Sequence, residues 1–149
     1  MRAVIQRVSG ASVVVEGRTI SAIGPGFLVL VGVAPDDGDV DVAYLVDKVR
    51  HLRVFPDDAA RMNLDIGQVR GEVLVVSAFT VQADARKGRR PSFDSAAPPD
   101  QARVMYELLC EGLAQSGLSV RRGSFGATMD VHCVNAGPVC VLLDSRRLF

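Results

Sequence analysis

The amino-acid sequence predicts an α+β fold, a mostly antiparallel, barrel-like β domain with two helices. Three observations predict it: short Val- and Ile-rich segments dominate the chain, only two segments carry helical spacing, and no linker, repeat or low-complexity tract interrupts them. Residues 1–149 read as one domain. A chain of that size removes roughly 68–70% of its unfolded surface from water, so its core needs no staples.

Residues 2–8, 11–16 and 19–23 are short and rich in Val and Ile, and Ser9-Gly10 and Glu16-Gly17 punctuate them as tight turns do. They predict an antiparallel meander. Gly24-Pro25-Gly26 breaks the chain before Phe27 to Val33, whose unbroken apolar run predicts a central strand covered on both faces. From Asp39 to Arg53 the apolar positions Val42, Leu45, Val46, Val49 and Leu52 repeat with helical spacing, and Asp39 and Asp41 stand early, where they complement the helix dipole. Val54-Phe55 and a polar hairpin region through Gly71 lead into a strand from Val73 to Phe79. Pro98-Pro99-Asp100 starts the second helix, Ala102, Met105, Tyr106, Leu109 and Leu113 form its stripe, and Gly117 stops it. Three strand-like pieces close the chain, at about 119–125, 128–134 and 139–144, the middle one alternating Met129, Val131 and Cys133 inward.

Composition narrows the function. Seventeen basic and seventeen acidic side chains cancel, so any attraction to nucleic acid must come from local clusters of Arg and Lys. Cys110, Cys133 and Cys140 are odd in number, lack CxxC spacing and sit in apolar runs, as free thiols behaving like small hydrophobes do. A reducing, cytoplasmic compartment is expected. Met1 to Arg7 lack the apolar region of a signal peptide, and no apolar stretch approaches the length of a membrane span.

Familiar catalytic constellations are missing. Nucleophilic catalysis of the Ser-His-Asp or Cys-His kind needs an imidazole beside the nucleophile. The two histidines read as structural or surface residues: His51 lies on or beside the first helix's apolar stripe, and His132 alternates out of phase with Met129, Val131 and Cys133. No cysteine pair has zinc-ligand spacing, and no glycine-rich phosphate loop follows a strand, so neither metal nor cofactor is expected.

Two segments remain. Leu74-Val75-Val76 makes Ser77 and Thr80 hydroxyls at the exit of a buried strand, a place where reacting groups are held rigidly and where Ser and Thr also bond nearby backbone. Gly137-Pro138 reads first as a turn between strands, and only about 5–6% of X-Pro bonds in folded proteins are cis. A third feature is the cationic run Arg86-Lys87-Gly88-Arg89-Arg90, which suits either phosphate binding or a solvated loop. Arg121-Arg122 and Arg146-Arg147 are weaker basic candidates.

Taken in order, the chain resembles the D-aminoacyl-tRNA deacylase family. The likeness runs through Arg2-Ala3-Val4-Ile5-Gln6-Arg7-Val8, Ala11-Ser12-Val13, Ile23-Gly24-Pro25-Gly26, Met62-Asn63-Leu64, Arg90-Pro91-Ser92-Phe93 and Val134-Asn135 to Pro138-Val139. The family's Ser-Gln-Phe-Thr motif stands here as Ser77-Ala78-Phe79-Thr80, and its Asn-x-Gly-Pro-Val-Thr motif as Asn135-Ala136-Gly137-Pro138-Val139-Cys140. Ala78 and Cys140 depart from it.

The resemblance implies a homodimer that hydrolyses the ester between a D-amino acid, or glycine, and the terminal ribose of tRNA. Ser77, Ala78, Phe79 and Thr80 would form the catalytic segment. Gly137 and Pro138, with a cis peptide between them and Arg7 in support, would enter the partner subunit's pocket and exclude L side chains with backbone carbonyls. Arg86, Lys87, Arg89 and Arg90 are the tRNA-binding candidates, and no membrane is involved. Catalysis would run either through Thr80 as nucleophile or with the vicinal 2′-hydroxyl of the ribose activating water. The second route is favoured, because neither His nor a paired carboxylate lies near Thr80 in sequence. Two alternatives stay open: an RNA-binding module that lost hydrolysis, and a deacylase of relaxed chirality acting on L-alanyl-tRNA.

Overall fold

A computed structural model describes residues 1–149. Strand β1 (Arg2–Val15) organises the sheet. One of its edges pairs antiparallel first with β3 (Gly26–Gly32), over Arg2 to Val8, and then with β2 (Arg18–Ile23), over Ala11 to Val15. Along its other edge runs β8 (Asp130–Asp144), also antiparallel. Ser9-Gly10 is therefore not a turn: it lies inside β1, where the register against β8 shifts between Val8 and Gly10. A bulge bends the strand without ending it, which lets one strand serve both partners. Glu16-Gly17 is the expected turn, a two-residue hairpin loop with both φ angles positive (48° and 75°), as the type I′ geometry requires.

Beyond β3 the sheet turns parallel. β6 (Glu72–Ser77) pairs parallel with β3, and β7 (Ser119–Arg122) parallel with β6. Parallel neighbours need crossovers, and the two helices supply them. Helix α1 (Asp39–His51) precedes a small hairpin of β4 (Phe55–Pro56) and β5 (Met62–Leu64), while α2 (Pro99–Gln115) links β6 to β7. α1 stops two residues short of Arg53, because Leu52 turns extended.

Both helices cover one face of the sheet. Leu45, Val49, Leu109 and Leu113 pack there on Ile5, Phe27, Val29, Val73 and Val75. The opposite face, with Leu28, Leu74 and Val76, is covered by the β1–β2 hairpin through Val8, Ala11, Val13 and Ile23. β3 is thus buried on both sides, as its unbroken apolar run requires. Gly26 allows the closest approach in the sheet, since a Cβ there would lie 1.8 Å from the carbonyl oxygen of Glu72.

The end of the chain departs most from expectation. The two pieces at 128–134 and 139–144 are one strand, β8, and Gly137-Pro138 lies within it. Of the three positions expected inward, Met129 packs on the core and Val131, though 36% exposed, lines a cavity beside it, whereas Cys133 is exposed, because β8 pairs along one edge only. Of the three thiols only Cys110 is buried.

Candidate active site

β3 and β6 end level with each other, Val31 facing Ser77. The ladder runs one residue further, through Ala78 N–H donating to the Val31 carbonyl at 2.8 Å. The chain then leaves the strand into a 3-10 turn, Phe79–Gln82, two residues before the predicted strand end. This tight turn fits because Gly32 has no side chain; a Cβ there would come within 3.1 Å of the Ala78 carbonyl oxygen, Gln82 Cγ and Val81 Cβ. Gln82 is the buried polar residue of the turn, its Nε2 donating to the Gly32 carbonyl at 2.8 Å. Ser95 Oγ donates to the Gln82 carbonyl, and Ala97 N–H to the Val33 carbonyl at 2.8 Å, so the segment after Ser92 is drawn over the strand ends.

These elements enclose a cavity of about 820 Å³. Ser77, Ala78, Phe79 and Thr80 all line it, opposite Phe93, Phe125 and Met129. Phe79 and Phe93 meet edge to face at 5.1 Å, and both keep substantial exposure, 56% and 36%. The lining contains no His, Cys, Asp, Glu, Lys or Arg; Ser77, Thr80 and Thr128 supply its only side-chain hydroxyls. In a 3-10 turn the first N–H groups have no partner within the turn, and Ala78 N–H is already committed to Val31. Phe79 and Thr80, both in the cavity lining, are therefore the residues whose amides have no backbone partner within the turn.

Gly137, Pro138 and Arg7 do not line this cavity. They form a second feature, an excursion of β8. Gln6 pairs with Cys140 and Val8 with Asn135, so residues 136–139 loop out opposite Arg7. The Gly137-Pro138 peptide is cis and both residues are exposed. Arg7 supports the loop, its Nε donating to the Ala136 carbonyl at 2.7 Å and a terminal nitrogen to the Val54 carbonyl. Asn135 closes its base: Oδ1 accepts from Val139 N–H at 2.8 Å, and Nδ2 donates to the Val139 carbonyl and to Gln6 Oε1, each at 3.0 Å. A Cβ at Gly137 would sit 3.0 Å from the Arg7 guanidinium.

The cationic run forms a loop closed by the Asp84–Ser92 bridge. Its four charges are not equivalent. Arg86 grips Asp84 through Nε at 2.9 Å and a terminal nitrogen at 2.6 Å, holding that carboxyl far below the usual carboxylate range. Lys87, Arg89 and Arg90 make no ion pair. His51 is paired with Asp47 on the exposed side of α1, not on its apolar stripe, and His132 is exposed on β8.

The sequence reading missed the opposite wall. Phe93 and the run Phe125-Gly126-Ala127-Thr128-Met129 line the cavity. Phe93 stood in the Arg90-Pro91-Ser92-Phe93 stretch without a role, and the one signal for the second run was Gly126-Ala127-Thr128, small residues between two strand patterns. Gln82 was missed as well, because its partner is a backbone carbonyl fifty residues away in sequence; Asn135 stood in the Gly-Pro motif, but its bonds to Val139, four residues on, and to Gln6 Oε1 depend on the loop's geometry.

The family model described as D-Tyr-tRNA(Tyr) deacylase matches residues 4–144. A D-aminoacyl-tRNA deacylase of Thermotoga petrophila is 54% identical over 149 residues, covering 100% of both chains. One from Anaeromyxobacter dehalogenans is 56% identical over 149 residues, with the same coverage. A solved structure named c-Myc DNA Unwinding Element Binding Protein superposes with a TM-score of 0.91 at 40% identity, covering 97% of this chain and 98% of that one. A match along nearly the whole chain, with the strand-end motif and the Gly-Pro loop both in place, means that the chain belongs to the D-Tyr-tRNA(Tyr) deacylase family.

Proposed function

We propose that this chain hydrolyses the ester of D-aminoacyl-tRNA, releasing the D-amino acid and tRNA, and that residues 1–149 act as one domain in doing so. The observation that carries the chemistry is a cavity walled by Ser77 to Thr80 that contains no ionisable side chain. An aminoacyl ester is already activated, so the site must position the carbonyl, stabilise the oxyanion and admit water. Amides at the start of the turn, from Phe79 and Thr80, suit the oxyanion, and the apolar walls exclude bulk water. With no protein base in the lining, the 2′-hydroxyl of the terminal ribose is the group at hand to activate water. Thr80 then positions substrate and does not attack it.

The chirality filter acts between subunits. Gly137 and Pro138 are exposed and lie outside their own chain's cavity, while β8 presents Val134 and Leu142 to solvent. A second copy seated on this strand would cover that apolar strip and could receive the loop. Backbone carbonyls held by Arg7 and Asn135 reject an L side chain through a steric and desolvation penalty on one side of Cα; glycine, without Cβ, passes. No helix is long and apolar enough to cross a membrane. A cytoplasmic location goes with this substrate.

The deciding experiment measures amino-acid release from D-Tyr-, L-Tyr- and Gly-tRNA by the purified protein. Release from D-Tyr- and Gly-tRNA with L-Tyr-tRNA spared is expected. Equal release from L-Tyr-tRNA would remove the filter, and no release from any would remove the hydrolase.

A further inference from the structure

The sheet does not close. β2 is bonded only to β1, and β7 only to β6. Their free edges approach without forming a ladder, with Cα atoms within 8 Å. Between them runs an open groove of about 550 Å³, with Thr19 and Ser21 on one wall and Arg121 and Arg122 on the other. No carboxylate lines it. Glu72, the acidic residue nearest in the sheet, lies opposite Ser119 at the far end of β7, and one of its oxygens is taken by Gly24 N–H at 2.7 Å.

The two arginines are, with Arg18, Arg61, Arg70, Arg89 and Arg90, among those that make neither an ion pair nor a side-chain hydrogen bond. Arg2, Arg50, Arg86 and Arg146 are in ion pairs, while Arg7 and Arg53 donate to backbone carbonyls. Arg121 and Arg122 form no ion pair and no side-chain hydrogen bond, and both are exposed, so their donors are free. Position matters too. β7 runs directly into the loop that carries Phe125 and Met129 to the cavity wall. At about 3.3 Å per residue, the groove's arginines lie roughly 10 Å along the chain from that wall.

We propose that this seam binds backbone phosphates of the tRNA strand that carries the aminoacyl ester, a contact additional to the Lys87–Arg90 loop. The proposal rests on the substrate class inferred above. Arg121 and Arg122, which leave opposite faces of β7, flank the seam with two cations, and with two hydroxyls and unpaired strand-edge amides they make a donor-rich channel that matches phosphodiester oxygens. An extended polypeptide would also fit between free strand edges, but strand addition gains specificity from side-chain pockets, and two unpaired cations favour the polyanion.

The test separates the groove from the chemistry. Arg121→Gln with Arg122→Gln, and separately Ser21→Glu on the facing wall, would be compared with wild type on D-Tyr-tRNA, on D-tyrosyl-adenosine, and in binding of uncharged tRNA across salt concentrations. The expected result is a KM for D-Tyr-tRNA raised about three- to tenfold, unchanged hydrolysis of D-tyrosyl-adenosine, and a salt-dependence slope reduced by about 1 to 2 in the double variant. Arg121→Lys with Arg122→Lys should recover most of the loss. Because Ser21→Glu leaves both arginines in place, a fold defect in the arginine variant cannot imitate its effect. An unchanged KM and slope in both would overturn the proposal and leave the seam to a polypeptide. If wild type hydrolysed neither substrate, the activity reading would fall, while the binding of uncharged tRNA would still decide the groove.

Discussion

Gln82 donates its side-chain amide to the Gly32 carbonyl at 2.8 Å, joining the end of the central strand to the turn that carries Phe79 and Thr80. The bond is buried, and the Gln82 carbonyl in turn holds Ser95, so one residue ties three walls of the cavity. Gln82→Met keeps the volume but leaves a buried carbonyl unpaired, at a cost of about 1–3 kcal/mol. Deacylation of D-Tyr-tRNA should fall about ten- to a hundredfold in kcat with little change in KM, since displacement of the turn spoils the geometry of reaction before it spoils binding. A loss confined to thermal stability, with kcat intact, would show that the turn keeps its place without this bond.

Asn135 acts on the other half of the site. Its side chain bonds both the N–H and the carbonyl of Val139, closing residues 136–138 into a fixed loop. Asn135→Asp keeps the acceptor but loses the donations to Val139 and Gln6. The ratio of D-Tyr- to L-Tyr-tRNA hydrolysis should drop, and Asn135→Ala should drop it further and lower stability by about 1–3 kcal/mol. Unchanged discrimination in Asn135→Ala would mean that Arg7 alone shapes the loop.

Much of the fold was legible in the sequence, because burial on both faces of β3 and the apolar stripes of both helices are local patterns. What escaped depends on partners. Ser9-Gly10 looks like a turn, since a bulge and a turn share their residue preferences and only the long pairing with β8 tells them apart. Met129, Val131 and Cys133 carry the alternation of a half-buried strand, but alternation does not say where the cover ends: Val131 still lines the cavity and Cys133 is exposed. The same limit hid the cavity's second wall: Ser77 to Thr80 were marked by the buried strand before them, whereas Phe93 and Phe125 reach the site only through the crossover carrying α2 and the loop after β7.

The basic loop divides by its one ion pair. Arg86 is committed to Asp84, so its guanidinium is not free to take a phosphate. Arg89→Gln with Arg90→Gln should therefore lower the salt-dependence slope of tRNA binding by about 2, whereas Arg86→Gln should leave the slope near wild type and weaken binding modestly. Equal slopes in the two variants would show that the Arg86–Asp84 pair opens on binding RNA.

Acid should destabilise the protein in a defined window. Asp57 titrates below its ordinary value, because Arg61 N–H donates to its carboxylate, joined by Ala59 N–H and the Asn63 side chain. Asp65 is also lowered: burial opposes ionisation there but is outweighed by hydrogen bonds from Gln68 N–H and Arg50. A carboxyl whose folded pKa is depressed contributes stability above its unfolded value, near 4, and that contribution is lost as pH falls toward the folded value. The melting temperature should be flat between about pH 5 and 8 with respect to these groups and should fall below about pH 4. A melting temperature that rises on acidification would contradict the assignment.

Ala78 and Thr80 together test the chemistry. At position 78 the chain lacks the family's glutamine, and the one polar atom of Ala78 positioned to donate, its N–H, is spent on Val31. If catalysis depends on the turn's amides and the ribose hydroxyl, Ala78→Gln should change turnover of D-Tyr-tRNA by less than about tenfold, which is under about 1.4 kcal/mol of barrier. Thr80→Ala should retain substantial deacylation, because its main-chain N–H survives the substitution. Replacing the terminal adenosine by 2′-deoxyadenosine, by contrast, should abolish hydrolysis while tRNA binding persists. Total loss in Thr80→Ala, with the deoxy substrate still turned over, would transfer the reaction to the threonine hydroxyl and reverse the mechanism proposed here.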